Sequence, residues 1–192
     1  MITSDIDPRF GCTITANILA LSVDDLARFG PFDFIWASPP CEAFSVASIG
    51  HHWTGGARAY VPNTEHARLS QEVVAHTVRL IAGLGPRAWI MENPRGVLRK
   101  LPCVAGLPRV TVTYCQYGQT RMKPTDLWGH FPAGLTFNPM CKNGDPCHER
   151  APRGAKTGTQ GISGAAERAV VPYLLSLAVC EAMEALEGGR LF

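Results

Sequence analysis

The chain has 192 residues, of which 46% are hydrophobic, enough for one domain with a buried core and too apolar for a disordered or fibrous protein. Its formal net charge of +2 does not by itself point to nucleic acid. Its seven scattered cysteines, with no secretory signal ahead of them, suit reduced thiols in a cytoplasm, and no apolar run reads as the roughly 20 residues that cross a membrane.

The predicted elements alternate strand with helix. Ile2 to Ile6 reads as a first strand and Phe34 to Ala37 as a second, ended by Ser38-Pro39-Pro40, where proline cannot extend a ladder. Residues 46 to 63 carry paired glycines and read as a mobile loop behind Cys41. The stretch 65–85 places Leu69, Val73, Thr77, Leu80 or Ile81, and Leu84 at helical spacing, stopped by Gly85-Pro86. Ala88 to Met91 and Val110 to Tyr114 are the next strands, and the strand–helix–strand order predicts a parallel sheet. Residues 124 to 167 are rich in Gly, Pro and Cys without periodicity, which marks a functional loop or small subdomain. A last helix starts after Pro172 and stops near Gly188. Between Arg87 and Lys123, seven basic residues (Arg87, Arg95, Arg99, Lys100, Arg109, Arg121 and Lys123) face one acid, Glu92, so a basic face is expected there.

The chemistry concentrates at two strand ends. Cys41 follows its two prolines on a stiff loop, and Glu92 ends the next strand in "WIMENPRG". Consecutive strands of a parallel sheet usually lie side by side, so a thiol and a carboxyl should emerge at one edge. Such a pair can attack an electron-poor ring and support the charge that results. "CKNGDPCH" holds Cys141, Cys147 and His148, with His130 upstream. These are zinc-ligand types, but their spacing matches no standard pattern, so no metal site is assigned.

In these motifs the chain resembles the DNA (cytosine-5)-methyltransferases. "SPPCEAFS" is similar to their Pro-Cys nucleophile motif, "MENPRG" to their Glu-Asn motif, "YGQTRMK" to their Gln-x-Arg-x-Arg motif and "RAVVPYLLSLAV" to the closing helix of phage-type members, in the family's order. The resemblance implies a Rossmann-like α/β sheet dependent on S-adenosylmethionine. Residues 1–123 with 168–192 would be catalytic and 124–167 a small target-recognition region. Cys41 would add to C6 of cytosine, Glu92 would hold its N3 and amine while protonated, and Arg121 would face the nucleophile. Burial should raise the pKa of Glu92, and the local field should favour the Cys41 thiolate. Ser45, Arg95, Gln119, Lys123, Arg150, Arg153 and Lys156 are expected on DNA, with a base flipped out of the duplex and residues 46–63 closing behind it. Two departures stand out: Lys123 replaces the second Arg and so loses bidentate contact, and Glu42 replaces a Gln. Amino-group methyltransferases put an aromatic residue where Cys41 stands, and zinc deaminases need a cysteine where Phe44 stands, so neither chemistry fits.

For the cofactor, the resemblance implies Asp5 on the ribose hydroxyls, Ile6 on the adenine, Asn17 on its amine and Pro39 as a wall. The family's Phe-x-Gly-x-Gly loop and the central strand before it have no counterpart in the chain. The expectation is therefore weak cofactor binding by this chain alone, restored by a partner polypeptide or a longer form. The alternative is an inactive homologue that only binds DNA, or one part of a split enzyme. A restriction–modification or phage setting, in the cytoplasm of a bacterium or infected host cell, would suit either.

Overall fold

A computed structural model describes residues 1–56, 59–150 and 164–188. Strands β1 (Ser4–Asp5) and β2 (Ile14–Thr15) pair in parallel with each other alone. Helix α1 (Val23–Ala27) follows, started by a capping box in which Ser22 and Asp25 satisfy each other's backbone N–H groups. Strand β3 (Phe34–Ala37) then enters the main sheet. Past Cys41 the chain forms a short helix α2 (Ile49–His52) and an antiparallel pair, β4 (Trp53–Thr54) with β5 (Val61–Pro62). The segment expected to be a mobile loop therefore carries short regular elements over its described residues. Its anchor is Trp53, 3% exposed, whose indole N–H donates to the Ala43 carbonyl at 2.6 Å and whose ring stacks on Phe44.

Helix α3 (Glu65–Leu84) is capped by Thr64 at one end and by Gly85 in the left-handed region, φ 58°, at the other. It leads into β6 (Ala88–Pro94), β7 (Arg109–Thr113) and β8 (Pro124–His130). The main sheet has four strands in the order β3-β6-β8-β7. β3 and β6 are parallel, Phe34 facing Ala88 and Ala37 facing Met91, whereas β8 runs antiparallel to both β6 and β7. The helices α4 (Ala165–Ala169) and α5 (Tyr173–Gly188) close the described chain.

Alternation along β6 sets the layers. Met91 joins Ala43, Phe44, Ala67, Val74 and Leu98 on the α3 side, and Ile90 joins Val112, Leu127, Leu175 and Val179 on the α5 side. The sheet is thus mixed α/β, not wholly parallel. Residues 124–130, which read as the start of the irregular stretch and which the resemblance put in the recognition region, are its interior strand β8, and the irregular stretch begins after His130. Glu167–Leu186 is apolar enough by length and composition to pass for a membrane span, with a mean hydropathy of 1.6, contrary to the expectation that no such run exists. The segment between α4 and α5 interrupts it at Pro172, and Leu175 and Val179 are packed in the core.

An interior strand that contains Asp126 needs a partner for the carboxylate. Asp126 is fully buried, and Arg99 donates to it through Nε at 2.9 Å and also through Nη2, while the Thr111 hydroxyl donates at 2.7 Å. Arg99 is thereby removed from the expected basic face. Arg87 pairs with Asp33, and Arg121 and Lys123 are also ion-paired, so Arg95, Lys100 and Arg109 are the exposed members of that stretch. Arg99→Leu should lose about 3–5 kcal/mol of stability in chemical denaturation, because it strands a buried carboxylate. A loss under about 1 kcal/mol would show that Asp126 finds other compensation.

Candidate active site

Cys41 is held by what β6 does beyond its last ladder bonds. Asn93, fully buried, donates its side-chain amide to the Pro39 carbonyl at 3.0 Å, tying the Pro-Pro turn to the end of the neighbouring strand. Its Oδ1 is buried with no hydrogen-bond partner among the described residues. Gly96 lets the turn after β6 press on the Cys41 loop, since a Cβ there would lie 2.1 Å from the Phe44 carbonyl oxygen. Cys41 itself is half-buried at the start of the 3-10 turn Glu42–Phe44, and its carbonyl accepts the amides of Phe44 and Ser45.

Glu92 is 5% exposed on β6. The Tyr114 hydroxyl donates to its Oε1 at 2.8 Å, the Lys123 ammonium stands 3.9 Å away, and Ser38 is near enough to favour its charge. Lys123 donates to the Arg168 carbonyl at 2.8 Å and lies 4.6 Å from the centre of the Tyr114 ring. Burial pushes the Glu92 carboxyl above the usual carboxylate range, against the opposing pull of Lys123 and its hydrogen bonds. Burial likewise lowers the Lys123 ammonium, opposed by Glu92 and Cys41. The Cys41 thiol is raised, first by burial, then by the charges of Glu42 and Glu92, and among the described residues Lys123 is the neighbouring charge that favours its thiolate. The field therefore holds the resting thiol protonated, opposite to the expectation from sequence. Glu42 acquires a physical effect: a Gln there would not repel the thiolate.

The structure thus joins Cys41, Glu92 and Lys123 electrostatically, with Tyr114 and Ser38 on the carboxyl. Lys123, assigned to DNA from sequence, is only 8% exposed: its ammonium is committed to this site, which corrects its placement on an outer basic face. Arg121, assigned to the nucleophile, turns its guanidinium to Glu149 at 3.3 Å and to the Arg150 carbonyl at 2.7 Å. Tyr114 was not singled out in the sequence because it closes an ordinary strand pattern, and only the pairing of β7 through β8 shows that it reaches Glu92.

The other expected contacts are dispersed. Ser45 caps the turn at Val46–Ser48 by accepting the Ala47 amide. Arg95 and Arg150 are exposed and Gln119 is half-buried, while Arg153 and Lys156 lie outside the described residues. Among the cofactor candidates, Asp5 accepts the Asp7 amide through Oδ1 and Asn17 accepts the Leu19 amide, Ile6 is 65% exposed, and Pro39 is buried. Cys141, Cys147 and His148 do come together, joined by Cys115, which carried no signal in its own segment. His130 ends β8 opposite Trp89 and is not in that cluster.

Alkylation of Cys41 by iodoacetamide should rise with pH through a midpoint above that of free cysteine, because the raised thiol stays protonated longer. Lys123→Met should move that midpoint further up, and Glu42→Gln should move it down. A wild-type midpoint below that of free cysteine would contradict the charge balance of the site.

No protein-family model matches the chain. It is 29% identical over 118 residues to a protein of Frog virus 3 (isolate Goorha) named "Probable DNA (cytosine-5)-methyltransferase", covering 58% of this chain and 54% of that one. The chain therefore spans about half the length of this curated relative. Among solved structures it is similar to a protein described as a DNA modification methyltransferase encoded within an E. coli prophage, at 18% identity and a TM-score of 0.40, covering 60% of this chain and 32% of the other. The viral match is thus a similarity to a DNA (cytosine-5)-methyltransferase, and the Pro-Cys and Glu-Asn motifs of this chain lie at the ends of adjacent parallel strands.

Proposed function

We propose that this chain carries the catalytic apparatus of a DNA (cytosine-5)-methyltransferase. The observation that supports this most is the meeting of a thiol, a buried carboxyl of raised pKa and a buried ammonium at the ends of two parallel strands. Cys41 as thiolate adds to C6 of a flipped-out cytosine, which makes C5 nucleophilic. Glu92, protonated because burial disfavours its charge, donates to N3 and accepts from the exocyclic amine, drawing electron density from C6 as the bond forms. Lys123 balances negative charge on Cys41 and Glu92 and can donate to the O2 carbonyl of the base. After C5 has taken a methyl group, its proton leaves to a base, the C6–S bond breaks, and Cys41 is released as thiolate.

S-adenosylmethionine fits the donor set at the first two strands. The Asp5 carboxylate has Oδ2 to accept ribose hydroxyls, exposed Ile6 offers an apolar face for adenine, and Asn17 offers an amide oxygen to its amine. When bound, it supplies a methyl group on a sulfonium, an electrophile that C5 can attack. The exposed Arg95, Lys100, Arg109 and Arg150 would hold DNA phosphates, with residues 46–63 closing on the flipped base and the segment from 131 onward reading its neighbours. Such an enzyme works in the cytoplasm on double-stranded DNA. A protein that only binds DNA has no use for a cysteine held between a buried acid and a buried lysine, so that alternative is not favoured.

In a form completed by a partner polypeptide or a longer chain, Cys41→Ala should lower methyl transfer to duplex DNA by on the order of 10⁴-fold or more while leaving DNA affinity largely intact, because the thiol acts in the covalent step. Equal loss of affinity and transfer would make Cys41 structural.

A further inference from the structure

Three cysteines and a histidine gather beside the turn that follows β7. Cys115 lies in the 3-10 turn Tyr114–Tyr117 that follows β7. Cys141 is 26 residues further on, and Cys147 and His148 follow a tight turn in which the Lys142 amide donates to Asp145 Oδ2 at 2.7 Å and the Asp145 amide to the Lys142 carbonyl at 3.1 Å. Gly144 takes φ 95° there, a conformation open mainly to glycine. The Cys141 amide donates to the Thr113 hydroxyl at 3.1 Å, fixing that cysteine to the end of β7.

We propose that Cys115, Cys141, Cys147 and His148 bind one structural zinc ion. All four ligand atoms lie within 4.8 Å of one another. Cys115 Sγ is 3.1 Å from Cys141 Sγ and 3.8 Å from Cys147 Sγ, and His148 Nδ1 is 3.7 Å from Cys141 Sγ and 3.4 Å from Cys147 Sγ. Zinc bonds of about 2.3 Å to sulfur and about 2.0–2.1 Å to nitrogen give tetrahedral edges of about 3.8 Å for S–S and about 3.5 Å for S–N. The cluster therefore already has nearly the size of a closed Cys₃His site. Its donors are soft thiolates with one imidazole, the set zinc favours in structural roles. Gln116 donates its amide to Cys147 Sγ at 3.3 Å, a neutral donor placed where a thiolate ligand is hydrogen-bonded in such sites. Loading moves the His148 proton to Nε2, which gives up the long 3.4 Å contact from the Gly144 amide. A Cys115–Cys141 disulfide is the competing use of the same atoms, but it would leave Cys147 and His148 gathered around nothing.

Zinc here would tie the irregular segment to the sheet. The chain continues from His148 into Glu149, whose amide donates to the Thr120 carbonyl at 2.8 Å and whose carboxylate pairs with Arg121. The ion would thus fix the register of the residues leading into 151–163 against the loop that carries Arg121. Its binding does not depend on the methyl-transfer reading.

Metal analysis of the full chain purified under reducing conditions, with zinc supplied, should give about one zinc per chain. Cys115→Ser and Cys147→Ser should each lose most of it, whereas His130→Ala should retain it. Should the variants fail to fold, cobalt replacement in the wild-type chain decides: the intense visible bands and sulfur-to-cobalt charge transfer of a tetrahedral thiolate site are expected. A wild-type chain that takes up no zinc, zinc content unchanged in a folded Cys115→Ser, a cobalt spectrum without thiolate charge transfer, or a Cys115–Cys141 disulfide in the reduced preparation would each overturn the proposal.

Discussion

The bond from the Asn93 amide to the Pro39 carbonyl joins the ends of two parallel strands, and the geometry of the candidate site depends on it. A loop that begins Ser-Pro-Pro has its torsions restricted but nothing of its own to say where it lies in space. The buried Asn93 supplies that position, and Gly96 removes the one side-chain atom that would hold the Cys41 loop off the sheet. Trp53 then closes over the loop from the far side through the Ala43 carbonyl. Cys41 is consequently carried by a loop whose backbone is met by the Asn93 and Trp53 side chains and by the close approach of Gly96.

On that frame the electrostatics are a set of opposed effects. Removing Glu92 and Lys123 from water disfavours the charge of each, and their mutual attraction at 3.9 Å offsets part of that. The same burial holds Cys41 protonated. A half-buried thiol raised in this way is less open to alkylation and oxidation than an exposed one. An exposed thiol with a low pKa would react with the first electrophile it met.

Much of this was legible in the sequence because it rests on short, strongly patterned stretches. The apolar run at Phe34–Ala37, the helical spacing over 65–84 and the strand before Glu92 appear in the structure where their patterns put them. β8 was illegible because its residues, Thr125, Asp126 and Gly129 among them, look like a turn until Arg99 and Thr111 are seen to satisfy the acid. Lys123 was misread as a surface cation because burial of an ammonium beside a carboxyl leaves no local pattern. Cys115 escaped for a related reason: metal-ligand spacing rules assume that ligands are close in sequence, and here the fourth candidate lies 26 residues before Cys141, in the turn after β7.

The central claim is that Cys41 forms a covalent bond to cytosine C6 and so activates C5. That step can be followed without a methyl donor. Addition at C6 lets C5 accept a solvent proton, and elimination then releases the hydrogen that C5 carried. Duplex DNA deuterated at cytosine C5, incubated with the full chain and analysed by mass spectrometry, should lose label to water with wild-type protein and keep it with Cys41→Ala. Label retained with the wild type on DNA that it binds, or lost equally with both proteins, would contradict the account.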